Sequence, residues 1–259
     1  MPSDTVPGAL ALVGSGEYTR AMHDTDAYLL GTLGGPAFAR VVLLPTASGL
    51  EEGAPARWNA MGQRHFTSLG VTQVRLSTIL NRADAFDPGQ LDLLRDGTFF
   101  YFSGGAPGQI TEALRDTPAW EIIREAHARG AVLAGCSAGA MAFGGQSASL
   151  RRVMSASSSP AETQSVFVDA LGVVPQLITF PHFDRMAGFV GQQAFNDLLA
   201  AIPDGRAALG VDEDTALVRV AYNGAHAPAR WCVMGRQTVT VFASGAAPRV
   251  LRAGDEALL

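Results

Sequence analysis

The sequence predicts an α/β sandwich built on a mainly parallel sheet, with antiparallel strands near the C-terminus. Three observations carry that expectation. Short apolar runs bounded by glycine or proline recur at 8–14 (GALALVG), 40–48 (RVVLLPTAS), 98–105 (TFFYFSGG), 131–135 (AVLAG) and 175–180 (PQLITF). Helical patterns lie between them. After Ala208 the pattern changes to short runs separated by Gly- or Pro-bearing turns.

The five runs are too short for buried helices and lack strict alternation, which marks strands covered on both faces. Residues 55–69 and 118–129 open with proline at a first-turn position, and the second segment spaces Trp120, Ile123 and His127 along one helical face. The runs ALGVDEDTALVRV, ARWCVMG, QTVTVFA and PRVLRAG read as an antiparallel extension of the same sheet. No linker interrupts the chain, so one domain over residues 1–259 is expected. The irregular stretch is residues 144–164, GGQSASLRRVMSASSSPAETQ, whose length inside a compact domain suggests a lid.

Composition narrows the function. The chain has 259 residues, is 47% hydrophobic and 17% charged, and can bury a large core. All 19 cationic side chains are arginine, so Schiff-base lysine chemistry and the P-loop lysine are excluded. A formal net charge of -5 with scattered arginines leaves no basic stripe for a phosphate backbone, so no nucleic-acid partner is expected. No window reaches the ~18 uninterrupted apolar residues of a membrane span, and the N-terminus lacks a basic leader, so a cytoplasmic location is expected. Two cysteines, Cys136 and Cys232, and five dispersed histidines give no metal-ligand spacing, so no metal is expected. Gly14-Ser15-Gly16 lacks the third glycine of a nucleotide fingerprint.

The chemistry-bearing motif is Gly135-Cys136-Ser137-Ala138-Gly139, a G-x-S-x-G pattern between a strand-like AVLAG and a small-residue helix start. In a nucleophile elbow the chain turns sharply, and the central side chain stands clear. That selects Ser137 as nucleophile and turns Cys136 into the packing. Gly104 and Gly105, at the end of another strand, present N–H groups that together with that of Ala138 form a candidate oxyanion hole; Gly105 and Ala138 are the preferred donors.

A serine nucleophile needs a base. His65 and His127 fall within helices and His23 in an early polar segment, where surface or capping roles suit them. His182 in FPHFD follows a strand at the rim where α/β proteins build sites. The orienting acid is open among Asp212, Glu213 and Asp214 of GVDED, with Asp184 a further candidate. An α/β-hydrolase order would instead use Ser137, Asp212 and His226, the last in a turn between short strands.

With these residues in place the chain resembles the peptidase S51 family, the aspartyl dipeptidases and cyanophycinases, through LVGSGE, LLPTAS at 43–48, YFSGGAPGQ, GCSAGAM, FPHF and GVDEDTALV in order. The resemblance implies a three-layer α/β/α sandwich of the class I glutamine amidotransferase, flavodoxin-like type, without metal or cofactor. It also implies Ser137 as nucleophile, His182 as base and Glu213 as acid.

Cyanophycinases, which cut β-aspartyl-arginine units, carry Asp-Gln before this histidine and several arginines after it. Here Phe180-Pro181 precede it, and Asp184, Arg185, Met186, Ala187 and Gly188 follow Phe183. The family's GG-x-Q is altered to Gly104-Gly105-Ala106-Pro107-Gly108-Gln109. The expectation is a serine exopeptidase on small peptides, aspartyl dipeptides first, with Gln109 and Arg185 as candidate substrate ligands and a monomer or homodimer as the assembly. The alternatives are a cyanophycinase-like enzyme, a glutamine-hydrolysing amidotransferase domain, disfavoured by serine at the elbow centre, and a non-catalytic small-molecule binding module.

Overall fold

A computed structural model describes residues 6–149, 152–153, 165–220, 229–243 and 245–259. Five parallel strands form its centre: β1 (Leu10–Val13), β2 (Arg40–Leu44), β3 (Gln73–Leu76), β4 (Phe99–Phe102) and β5 (Val132–Cys136). Each of the four runs read from the sequence before residue 140 is one of these strands. Their continuous apolar character has a direct cause. Leu12, Phe100, Phe102 and Leu133 face one core, whereas Ala11, Phe99, Tyr101 and Cys136 face the other.

Helices supply those cores. On one face lie α1 (His23–Gly31) and α2 (Ala54–Ser68), contributing Leu29, Leu30 and Phe66. On the other lie α3 (Pro88–Arg95), α4 (Pro107–Leu114), α5 (Pro118–Ala128) and α6 (Ala138–Phe143). Proline opens α3 and α5 in the first turn, and the preceding Asp87 and Thr117 cap the backbone N–H groups of Gln90 and Trp120 at 2.9 and 3.3 Å. Trp120, Ile123 and His127 are buried as the helical spacing requires. Phe102 sits edge-on to Trp120 and Phe143, and burial of each such ring contributes about 1.5–3 kcal/mol.

The C-terminal half divides between two sheets. β10 (Thr215–Arg219), β11 (Arg230–Gly235) and β14 (Glu256–Leu258) extend the first sheet antiparallel from β1, giving the order β14-β11-β10-β1-β5-β4-β2-β3. The remainder build a second, six-stranded sheet, β13-β12-β9-β8-β6-β7. Its strands are β6 (Gly144–Ala148), β7 (Phe167–Asp169), β8 (Val174–Phe180), β9 (Ala207–Val211), β12 (Thr238–Phe242) and β13 (Arg249–Arg252). Leu177, Leu209 and Val211 pack into the first sheet's core. Ile178, Phe180 and Ala208 pack with α7 (Phe183–Val190) and α8 (Gln192–Ala200) through Met186 and Leu198.

Two expectations are thereby revised. ALGV of ALGVDEDTALVRV, QTVTVFA and PRVLRAG belong to the second sheet, ALGV in parallel pairing with β8, because period and apolarity are alike in both sheets and only pairing separates them. Gly144–Ala148, the start of the expected lid, is a paired strand; residues 150–151 and 154–164 lie outside the described residues.

Candidate active site

The elbow is built as the motif requires. Ser137 joins β5 to α6 with φ 51° and ψ -108°, a conformation that costs a non-glycine residue energy and is held by the packing around it. A Cβ on Gly135 would lie 2.5 Å from the carbonyl carbon of Gly139, and one on Gly139 would lie 2.7 Å from the Phe102 carbonyl oxygen. Both glycines are therefore dictated by contact. Cys136 is fully buried in the core beside α1 and α2, and burial, reinforced by the Glu17 carboxylate, pushes its thiol well above the ordinary cysteine value. A thiol kept protonated is a poor nucleophile, so of the adjacent pair the serine alone is presented.

The candidate base follows a strand of the other sheet, and the candidate acid lies on the crossing between the two sheets. β8 ends at Phe180, and His182 follows at the start of α7 in the left-handed region, φ 50° and ψ 37°. The segment Asp212–Asp214 lies where the chain leaves β9 of the second sheet and enters β10 of the first. At this junction His182 Nε2 lies 3.0 Å from Ser137 Oγ, and His182 Nδ1 lies 2.9 Å from Glu213 Oε1. With Nδ1 protonated toward the carboxylate, Nε2 is the acceptor for the serine O–H.

The remaining acids are otherwise employed. Asp212 is buried and accepts from the Thr238 backbone N–H at 3.1 Å and its hydroxyl at 2.6 Å. Asp184 accepts from the Glu213 backbone N–H at 2.9 Å, and Asp214 pairs with Arg236 at 3.5 Å. Gln237 Nε2 donates to the Glu213 carbonyl at 2.9 Å. Asp184 and Gln237 thus hold the backbone of the acid that faces the histidine. The alternative base His226 lies outside the described residues.

Of the expected oxyanion donors, the N–H groups of Gly105 and Ala138 make no hydrogen bond among the described residues. Gly105 has φ 143°, and a Cβ there would lie 2.5 Å from the backbone of Ala47. The N–H of Gly104 is not available, since it donates to Glu17 Oε1 at 2.9 Å. A cleft of about 410 Å³ opens beside Gly105, lined by Glu51, Ala106, Gly108, Ser147 and Ala148 among others. Neither substrate-binding candidate is free in this structure. Gln109 is buried and donates to the Leu80 carbonyl at 2.6 Å, and Arg185 forms ion pairs with Glu213 at 3.7 Å and Asp184 at 3.6 Å.

Sequence reading missed the environment of two histidines. His65 and His127 are buried rather than surface groups: His65 pairs with Asp26, and His127 bonds to Ala131 and Arg219. It also assigned no role to Glu17, which closes the LVGSGE motif four residues beyond the end of β1.

A serine elbow on an α/β sheet, with histidine and carboxylate in line behind it, is the arrangement of the serine hydrolases. The chain belongs to peptidase family S51, whose model matches residues 10–224. It is 30% identical over 191 residues to a cyanophycinase of Trichormus variabilis (strain ATCC 29413 / PCC 7937), a match covering 71% of this chain and 58% of that protein's length. Its structure superposes on that of a peptidase from an acI-B1 Actinobacterium with a TM-score of 0.83 at 28% identity, covering 99% of this chain and 98% of that one. A putative peptidase E protein from Listeria monocytogenes EGD-e shares the fold, with a TM-score of 0.60 at 21% identity over 89% of this chain and 100% of that one. Among the described residues, no helix is long and apolar enough to cross a membrane.

Proposed function

We propose that this chain is a serine exopeptidase of small peptides, with aspartyl dipeptides the first substrates to assay, and that Ser137, His182 and Glu213 carry the reaction. The observation that supports this most is the line from Ser137 Oγ through both ring nitrogens of His182 to Glu213, with spacings of 3.0 and 2.9 Å. As Oγ adds to the scissile carbonyl carbon, its proton passes to His182 Nε2, and Glu213 stabilises the imidazolium. The carbonyl oxygen gains the negative charge and is met by the N–H groups of Gly105 and Ala138. The C–N bond then breaks, and the proton on Nε2 goes to the leaving amine. Water adds to the acyl-serine by the reverse proton path and releases the acid and free Ser137.

Arg185 enters this scheme through Glu213. Its guanidinium lies 3.7 Å from the outer carboxylate oxygen, Oε2, leaving Oε1 for His182. The cytoplasm is the compartment we assign.

The test is a hydrolysis panel of α- and β-aspartyl dipeptides and β-aspartyl-arginine, together with an active-serine phosphonate. Wild-type protein is expected to cleave a member of the panel and to take the phosphonate on Ser137, and Ser137→Ala to do neither. Hydrolysis by Ser137→Ala within tenfold of wild type would end the proposal.

A further inference from the structure

Glu17 is a buried carboxylate that the scheme above does not use. It lies four residues beyond the end of β1 and is 6% exposed. Oε1 accepts the backbone N–H of Gly104 at 2.9 Å, and Oε2 accepts the thiol of Cys136, also at 2.9 Å. Each donor immediately precedes a residue of the proposed machinery: Gly104 precedes the oxyanion donor Gly105, and Cys136 precedes the nucleophile Ser137.

These partners come from three separate strand ends, β1, β4 and β5, joined to one another by parallel pairing. Strand pairing sets the ends of β4 and β5 but not the loops beyond them. Among the described residues, the Glu17 carboxylate directly ties the loop after β4 to the strand that delivers Ser137. The contact is close as well as bonded. A Cβ placed on Gly104 would lie 3.0 Å from Glu17 Oε1 and 3.5 Å from Ser137 Cβ, so the carboxylate reaches the gap between the two loops because position 104 lacks a side chain. Burial keeps the Cys136 thiol protonated and therefore able to donate.

We infer that Glu17 is a positioning residue for the hydrolysis: by holding Gly104 and Cys136 together, it sets the distance between the Ser137 Oγ and the Gly105 N–H. The inference rests on the serine-peptidase reading. Oxyanion donors act only when they meet the place where charge develops, and loss of one such donor costs about 10²–10³ in kcat. A residue that sets this spacing affects the transition state and leaves ground-state binding almost alone.

Glu17→Ala is expected to lower kcat by about 10² with KM within about threefold of wild type, and to slow phosphonate labelling of Ser137 by a similar factor. Glu17→Gln keeps an acceptor for Gly104 but turns an amide donor toward Cys136. It should lose about tenfold in kcat, and the added change Cys136→Ser, whose hydroxyl accepts from that amide, should return kcat to within about threefold. This rescue keeps the inference falsifiable if Glu17→Ala does not fold.

A Glu17→Ala enzyme with unchanged kcat overturns the inference, as does a loss confined to KM or one proportional to the unfolded fraction measured by thermal melting. Failure of the Cys136→Ser rescue also overturns it. These outcomes presuppose active wild-type protein that labels at Ser137; wild type that cleaves no peptide and takes no phosphonate there overturns the serine-peptidase reading itself.

Discussion

Among the described residues, two histidine–carboxylate pairs have nearly equal geometry, His182 with Glu213 at 2.9 Å and His65 with Asp26 at 2.8 Å. Their surroundings differ. In the first pair both side chains are 29% exposed, and the second ring nitrogen reaches a serine hydroxyl. In the second pair the exposures are 6% and 1%, and the imidazole packs against Tyr18 and Phe66. Burial pushes the Asp26 carboxyl above its ordinary value, and the His65 contact offsets that only in part. Cavity size does not single out the first pair. A concavity of about 830 Å³ lies over His65, Arg20 and Arg64, twice the volume of the cleft beside Gly105. What distinguishes the two is convergence, since of the two only the first meets a serine hydroxyl in a strained turn, next to backbone N–H groups that make no hydrogen bond among the described residues.

The contrast is tested most severely by removing each imidazole. His182→Ala is expected to lower kcat by about 10⁴–10⁶, as loss of a base acting in unit with its nucleophile does. His65→Ala should leave kcat within a few-fold. It should instead cost about 3–5 kcal/mol of stability, because Asp26 is left buried without its partner. Denaturant melts alongside steady-state kinetics separate the two, and a reversal of the effects would show that the pairs had been assigned the wrong roles.

The acids sharpen the same comparison at smaller scale. Glu213→Gln should reduce kcat by about 10²–10⁴ by removing the charge that orients and stabilises the imidazolium. Asp212→Asn, whose carboxylate serves Thr238, should keep kcat within a few-fold and cost about 1–2 kcal/mol. An intact Glu213→Gln enzyme would contradict the assignment.

A third histidine affects stability rather than rate and needs only a change of pH. Burial lowers the pKa of His127 to about 4. Arg219 donates to its Nε2 at 2.9 Å, so the ring is neutral and gives its Nδ1 proton to the Ala131 carbonyl at 2.8 Å. The unfolded chain, with an imidazole pKa of about 6.5, binds more protons between pH 6.5 and 4. Stability from this group is therefore complete above pH 6.5 and is lost as pH falls toward 4, by on the order of 3 kcal/mol. Urea unfolding at pH 7 and 4.5 should show a larger drop for wild type than for His127→Gln; equal drops would remove His127 as the cause.

Residues with strong local signatures were legible. FFYF at 99–102 reads as a strand covered on both faces because its alternate rings enter two different cores. Pro118 and the Trp120, Ile123, His127 spacing announce a helix for equally local reasons. Within the site, GCSAG announces its own turn, and His182 announces itself by following an apolar strand. Glu213 was separable from Asp212 only by family resemblance, since adjacent carboxylates carry no local mark of which one faces a histidine.

Other features were illegible because they depend on distant partners. QTVTVFA carries the same alternation whether it pairs in the first sheet or the second. The burial of His65 follows from Asp26, which lies 39 positions away. Gln109 and Arg185 looked available in sequence but are bound to Leu80 and to Glu213.

The sequence by itself determined four strands of the parallel sheet, two of the helices that flank it, and the sharp turn centred on Ser137. Those follow from periodicity, capping and the steric demands of a tight turn, all of which act over a few residues. Tertiary structure alone decided that a second sheet forms and that the strand ends meet. It brings Ser137 from one sheet to His182 from the other, with Glu213 on the crossing between them and Glu17 binding the adjoining loops. Side-chain hydrogen bonds of 3 Å require that convergence, and no spacing along the chain encodes it.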